Sequence, residues 1–242
     1  MERGDSLESA ETTLKEAMAL EPAQKSNGLL YRHLGQIQEH LNRNHDALES
    51  YSKGISLLPE SRDLISDRAS LYLRLGNDES AISDYSTLLR LSPDDKEALF
   101  FRAWLYVRKR DYKHARQDYD QLLLLDPVNE KGLMGLALLN TKDGRPREAM
   151  EQLNNLILYF PDHATNYVVR GGVYQEQKNY ELALFDFNKA IELESENPEH
   201  LISRAGCYIS MKKKKLAQRD LNAALLMGGD KRVIAEMRAL IK

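Results

Sequence analysis

Residues 62–95, RDLISDRASLYLRLGNDESAISDYSTLLRLSPDD, decide the fold. In the first half Leu64, Ile65, Ala69, Tyr72 and Leu73 recur at the spacing that collects side chains on one face of a helix. Gly76 and Asn77 break that pattern. Ala81, Ile82, Tyr85, Leu88, Leu89 and Leu91 then rebuild it as far as Pro93, which lacks an amide hydrogen and biases the residue before it away from helix. The stretch predicts two antiparallel helices joined by a tight turn. Ala69 and Ala81 fall where the helix axes come closest, because a larger side chain there would force the backbones apart.

The same order of residues recurs along the chain. Pro59, Pro93, Pro127 and Pro161 are 34 residues apart, and Ala47, Ala81, Ala115, Ala149, Ala183 and Ala217 keep that period. So do the small residues Gly35, Ala69, Ala103, Ala137, Gly171 and Ala205, and the large ones Tyr51, Tyr85, Tyr119, Leu153, Phe187 and Leu221. Tyrosine follows the small residue in four copies (Tyr72, Tyr106, Tyr174, Tyr208), with Gln38 and Asn140 in the others. Six copies fit without an insertion: 28–61, 62–95, 96–129, 130–163, 164–197 and 198–231.

This pattern resembles the tetratricopeptide repeat (TPR). The resemblance implies an all-α, right-handed α-solenoid: a superhelix of stacked antiparallel helix pairs, six repeats with capping helices at the ends. One pair cannot bury its apolar stripe alone, so such pairs stack and stability becomes a sum of neighbour interactions. Residues 1–27 are expected to be an N-terminal capping helix or half repeat. Within them residues 8–22 carry Ala10, Leu14, Ala17, Met18, Leu20 and Pro22 in the order of a repeat's second helix. Residues 232–242 are expected to cap the other end through Val233, Ile234, Met237, Leu240 and Ile241, with Asp230 before them as an N-cap.

Arg68, Arg102, Arg170 and Arg204 share one repeat position, and the same four copies carry Asp84, Asp118, Asp186 and Asp220 at another. The coincidence predicts a structural ion pair between the two helices of each of these repeats. Copies one and four hold Leu34 with Ser50 and Leu136 with Gln152 instead.

No catalytic constellation is visible. GxSxG, Walker A, GxGxxG and HExxH are absent, and the six histidines (His33, His40, His45, His114, His163, His200) lack a ligand pattern. One cysteine forms no internal disulfide. The reading is of a non-enzyme with no catalytic residue, no cofactor and no metal. A net charge of -3 argues against wholesale nucleic-acid binding. No apolar run is long enough to span a membrane. The compartment stays open: cytoplasmic if the chain is complete, exported if a precursor segment was trimmed.

Function is therefore expected from surface. The resemblance implies that inward positions of each first helix line a concave groove that holds a peptide or helical segment of a partner protein. Those positions are Arg32, His33, Gln36 and Glu39 in repeat one, and Asp63, Ser66, Asp67 and Ser70 in repeat two. They turn apolar in Phe100, Phe101, Trp104, Met134, Leu138, Val168 and Val169. Arg74, Arg108 and Lys142 form a row of cations near helix C-termini, where the helix dipole favours them. The lysine and asparagine set with which some relatives grip an acidic chaperone tail is supplied by no frame here.

Two other readings compete. These apolar residues and the terminal helix could instead bury a subunit interface, making the chain a weak homo-oligomer rather than a monomer. The basic end could meet nucleic acid or another anion: residues 201–242 carry ten Lys+Arg and three Asp+Glu, a net of +7, with Lys212–Lys215 in one turn.

Overall fold

The computed structural model describes residues 2–20 and 24–241, so Pro22, expected to close the first helix, lies outside them. Fourteen helices and no strand occur among the described residues. They are α1 Glu2–Leu20, α2 Asn27–His40, α3 Asn44–Leu57, α4 Arg62–Arg74, α5 Asp78–Leu91, α6 Lys96–Arg108 and α7 Tyr112–Leu125, followed by α8 Glu130–Lys142, α9 Pro146–Tyr159, α10 Ala164–Glu176, α11 Tyr180–Leu193, α12 Pro198–Ser210, α13 Lys214–Leu226 and α14 Lys231–Ala239. From α2 to α13 the helices pack as six consecutive antiparallel pairs. They form two compact units, Met1–Leu125 with α1 to α7 and Asp126–Lys242 with α8 to α14.

Each pair is closed by the same turn. Its hinge residue has φ near +60 to +70°: Asn42, Gly76, Arg110, Gly144, Lys178 and Lys212. At Gly76 and Gly144 this is free of steric cost, whereas a side chain there costs about 1–2 kcal/mol. The turn repays that cost by satisfying the carbonyls at the helix end; in the third pair the amide of Asp111 donates to the Tyr106 carbonyl at 2.9 Å and that of Arg110 to Val107 at 3.0 Å.

Small residues meet large ones across each pair. Ala47, Ala69, Ala81, Ala103, Ala115, Ala183, Ala205 and Ala217 are fully buried, and Tyr51, Tyr85, Tyr119, Leu153, Phe187 and Leu221 are buried with them. Gly35 and Gly171 take the alanine position where the ring presses closest. A methyl group would sit 2.5 Å from the Tyr51 ring at Gly35 and 2.9 Å from Phe187 at Gly171.

The arginines hold more than their own pair. Arg68 donates Nε and Nη2 to Asp84 at 2.8 and 2.7 Å, and Nη1 to Ser52 Oγ at 3.0 Å. Arg102 binds Asp118 at 2.8 and 2.7 Å and Ser86 at 3.1 Å. Arg170 reaches Asp186 and Asn154, and Arg204 reaches Asp220 and Asn188, in the same way. Every such arginine joins the second helix of its own pair to that of the pair before, sixteen residues away on either side. The aspartates are buried and the arginines half-buried, so each bidentate bond is shielded from water.

At the N-terminal end the helix starts before residue 8 and docks through part of the expected apolar set, Met18 and the half-buried Leu14. α1 begins at Glu2, and it buries Glu11 and Met18 while Ala10 and Ala17 stay exposed. A polar network fixes this register. Ser50 donates to Gln38 Oε1 at 2.7 Å, Gln38 donates to Glu11 at 3.2 Å, and Lys15 and Arg43 both pair with Glu11. Gln38 and Ser50, the departures of the first repeat, are thus the sockets for α1. Burial opposes the Glu11 charge, but the bonds from Lys15, Arg43 and Gln38 outweigh it and hold the carboxyl down at about 2.

Asp118→Ala strands the Arg102 guanidinium and is expected to lower stability by about 3 kcal/mol, read from the urea midpoint; a loss below about 1 kcal/mol would mean the pair behaves as an exposed one. Because the Glu11 pKa is depressed from 4.5, its contribution is complete above pH 4.5 and is lost as pH falls towards 2. Amide exchange in α1 is expected to speed up through that window in the wild type and to show no such acid step in Glu11→Gln. Equal acid profiles would contradict the network's role.

Candidate functional site

Within residues 1–125 the first helices of the pairs are α2, α4 and α6, and Phe100, Phe101 and Trp104 gather on α6. The Phe101 ring stacks on Tyr85 of α5, with centroids 5.7 Å apart and planes 19° from parallel. Phe100 meets Phe101 edge-on at 5.2 Å and leans on Tyr119 of α7 at 6.3 Å. Both phenylalanines are therefore half-buried and held by the tyrosines that pack the two pairs. Trp104 is different. It is 39% exposed, with the Arg108 guanidinium 4.9 Å above its ring. Arg108 in turn lies 3.3 Å from Asp78 of α5, so the cation over the indole is anchored from behind.

The polar end of the same face is internally bonded. Arg32 donates to Asp67 at 2.7 Å and to Asp63 at 2.9 Å, and Gln36 donates to Asp67 at 3.0 Å. Arg74 is paired with Glu39, whose other oxygen accepts from Tyr51 at 2.5 Å. Arg74 and Arg108 thus do more than answer a helix dipole. Each ties its helix to an earlier one through a carboxylate, and neither stands beside the other as a bare cationic row.

Among residues 126–242 the first helices of the pairs are α8, α10 and α12. Met134 is half-buried and Leu138 is exposed on α8. Val168 packs against the clusters around Tyr167 and Phe187, and Val169 is half-buried beside it. Gly172 leaves the centre of α10 bare, with open space where a side chain would stand. Gln175 donates to Ser210 of α12 at 3.1 Å.

Three of these bonds share a rule that a search of single repeat columns misses. Arg32 to Asp67, Glu39 to Arg74 and Gln175 to Ser210 each span 35 residues, one more than the period. One inner helix therefore meets the next with an offset of one residue. Pairing each position with that 35 further on would have found them in the sequence.

Titratable groups elsewhere are occupied with structure. Glu130 binds His163 at 2.6 Å and raises the imidazole pKa, and Glu194 binds the buried His200 at 2.9 Å. Burial pushes the Cys207 thiol up to about 11, away from the reactive thiolate. Among the described residues no three His, Cys, Asp or Glu side chains converge on a metal position, and no helix is long and apolar enough to cross a membrane.

Two sequence profiles of the tetratricopeptide repeat match residues 66–130 and 164–197. A tetratricopeptide repeat protein from Parabacteroides merdae ATCC 43184 is 32% identical; the match covers 99% of this chain and 93% of that one, with a TM-score of 0.78. YrrB, described as a TPR protein with an unusual peptide-binding site, is 18% identical over 75% of this chain and 92% of its own, at TM-score 0.60. The APC/C assembly Cut9–Hcn1 is 16% identical over 99% of this chain and 46% of that one, at 0.68. No curated protein matches the sequence.

Trp104 is the chain's one tryptophan, so its fluorescence reports this face directly. Removing the overlying guanidinium with Arg108→Ala is expected to shift the emission to longer wavelength and to raise iodide quenching. An unchanged spectrum would mean that Arg108 does not cover the indole in solution.

Proposed function

The chain belongs to the tetratricopeptide repeat family, and from that premise we propose that it is a non-enzymatic scaffold that holds a peptide or helical segment of a partner protein on its inner helices. The observation that carries the reading is Trp104, a large side chain left partly exposed on a helix whose neighbouring aromatics are locked in place. Aromatic anchors supply much of the energy at protein interfaces, and rigid ones lose little entropy on binding. Phe100 and Phe101 form the floor beside Trp104, and Arg108 gives the pocket a polar rim for a main-chain carbonyl or a carboxylate. In residues 126–242, Met134, Leu138, Val168 and Val169 supply a second apolar surface with no aromatic ring.

The polar residues of α2 and α4 support specificity rather than affinity. Arg32, Asp67, Gln36, Glu39 and Arg74 satisfy one another, so a ligand gains there only by exchanging bonds already made. The expected ligand therefore places an apolar or aromatic side chain against Trp104 and a polar stretch towards α2.

A peptide selected from a random library on the immobilised protein provides the test. Phe101→Ala/Trp104→Ala is expected to weaken that peptide by about 2 kcal/mol or more, roughly thirtyfold. Unchanged affinity would remove this face from the proposal. Sedimentation at two concentrations separates the subunit-interface reading, which requires mass to rise with concentration.

A further inference from the structure

The helix α14 repeats the register of the first helices of the pairs, and one donor on it is left without an acceptor among the described residues. Arg238 of α14 donates Nη2 to Asn222 of α13 at 2.7 Å, sixteen residues back. Arg68, Arg102, Arg170 and Arg204 make the same backward bond, through Nη1, to Ser52, Ser86, Asn154 and Asn188. In those four the Nε donates to an aspartate sixteen residues further on. The Nε of Arg238 is buried with no hydrogen-bond partner among the described residues.

Burial along α14 agrees with this. Its inward flank is complete: Ile234 is 1% exposed, with Val233, Met237 and Ile241 packed around the core of α12 and α13. The opposite flank is bare. Ala239 occupies the position of Ala69, Ala103 and Ala205, which are fully buried, yet Ala239 is exposed. Ala235 stands where Ile65, Leu99 and Leu133 are buried and is exposed as well. Leu225, Lys231, Ile234, Ala235, Arg238 and Ala239 line a groove of about 520 Å³ on that side.

We infer that α14 is an open first helix whose bare flank receives an acidic amphipathic helix carrying alanine and, three residues later, an aspartate for Arg238. The occupant's pattern is set by the four complete precedents: Ala81 with Asp84 and Tyr85, Ala115 with Asp118 and Tyr119, Ala183 with Asp186 and Phe187, and Ala217 with Asp220 and Leu221. The alanine lets the helix approach Ala239, and the aspartate accepts from the Nε that now has no acceptor. Its remaining surface is acidic because Lys231, Arg232 and the exposed lysines Lys212, Lys213 and Lys215 make this end of the chain basic.

The probe is a labelled synthetic peptide of residues 77–91, NDESAISDYSTLLRL, which contains the required alanine and aspartate and is acidic. Titrated with the full chain and followed by fluorescence anisotropy, it is expected to bind saturably. Asp84→Asn in the peptide and Arg238→Met in the protein should each weaken binding about tenfold, and together no further than either alone. Ala239→Phe, which fills the approach and leaves Arg238 in place, should abolish binding. Absence of binding by the wild type, equal affinity for the Asp84→Asn peptide, or indifference to Ala239→Phe would each overturn the inference. So would a mass that rises with protein concentration and returns to monomer in Arg238→Met, since that would give the flank to a second copy.

Discussion

The half-buried arginine is the constraint on which four of the six pairs depend. Its guanidinium is planar and has donors on three nitrogens, so it can hold a carboxylate with two and reach a second acceptor with the third. Arg102 does this with Asp118 and Ser86, on second helices of consecutive pairs. A lysine could not, because a single ammonium has no fixed fork to span two helices. The apolar packing within a pair brings its helices together without specifying their sliding along one another. Two parallel bonds from a half-buried guanidinium do specify it. In the second, third, fifth and sixth pairs, register within the pair and register against the pair before are therefore set by one side chain.

Much of this was legible in the sequence because it is periodic. The alanine column, the small residues facing it and the rings that press on Gly35 and Gly171 all repeat at the same interval, and the Arg–Asp coincidence in four copies pointed to their bond. The backward bond was not visible, because its acceptor changes from serine to asparagine between units and shares no residue type. The cross-helix pairs such as Arg32 with Asp67 escaped for a different reason: they obey the period plus one. Residues 8–22 misled because their alanines follow the repeat order, whereas the buried carboxylate of Glu11 selects the face that docks. A charged residue with three donors around it outweighs two methyl groups.

The aromatic face was legible as composition but not as a physical state. Phe100, Phe101 and Trp104 are three neighbouring inward positions, yet the structure divides their work. The phenylalanines belong half to the packing, through Tyr85 and Tyr119, and the indole remains presented. Only the side-chain arrangement distinguishes the held rings from the exposed one. Similarly, Arg74 and Arg108 looked alike in the sequence, but one is tied to Glu39 on α2 and the other lies over Trp104 with Asp78 behind it.

Packing residues and variable surface residues are separated by position, which explains how one fold carries such different surfaces. The residues that fix the pairs all point between helices: alanine, the small residue, the ring, arginine and aspartate. The position one residue past the small one lies outside the alanine, ring, arginine and aspartate columns. It is Gln36, Ser70, Trp104, Leu138, Gly172 and Gly206 in successive pairs, running from amide to indole to no side chain. Exchanging one for another leaves the buried Arg–Asp bonds in place. Gly172, whose missing side chain would meet nothing within 4 Å, makes the point in reverse: the bare site is not needed for close packing, so its effect is confined to the depth of the surface.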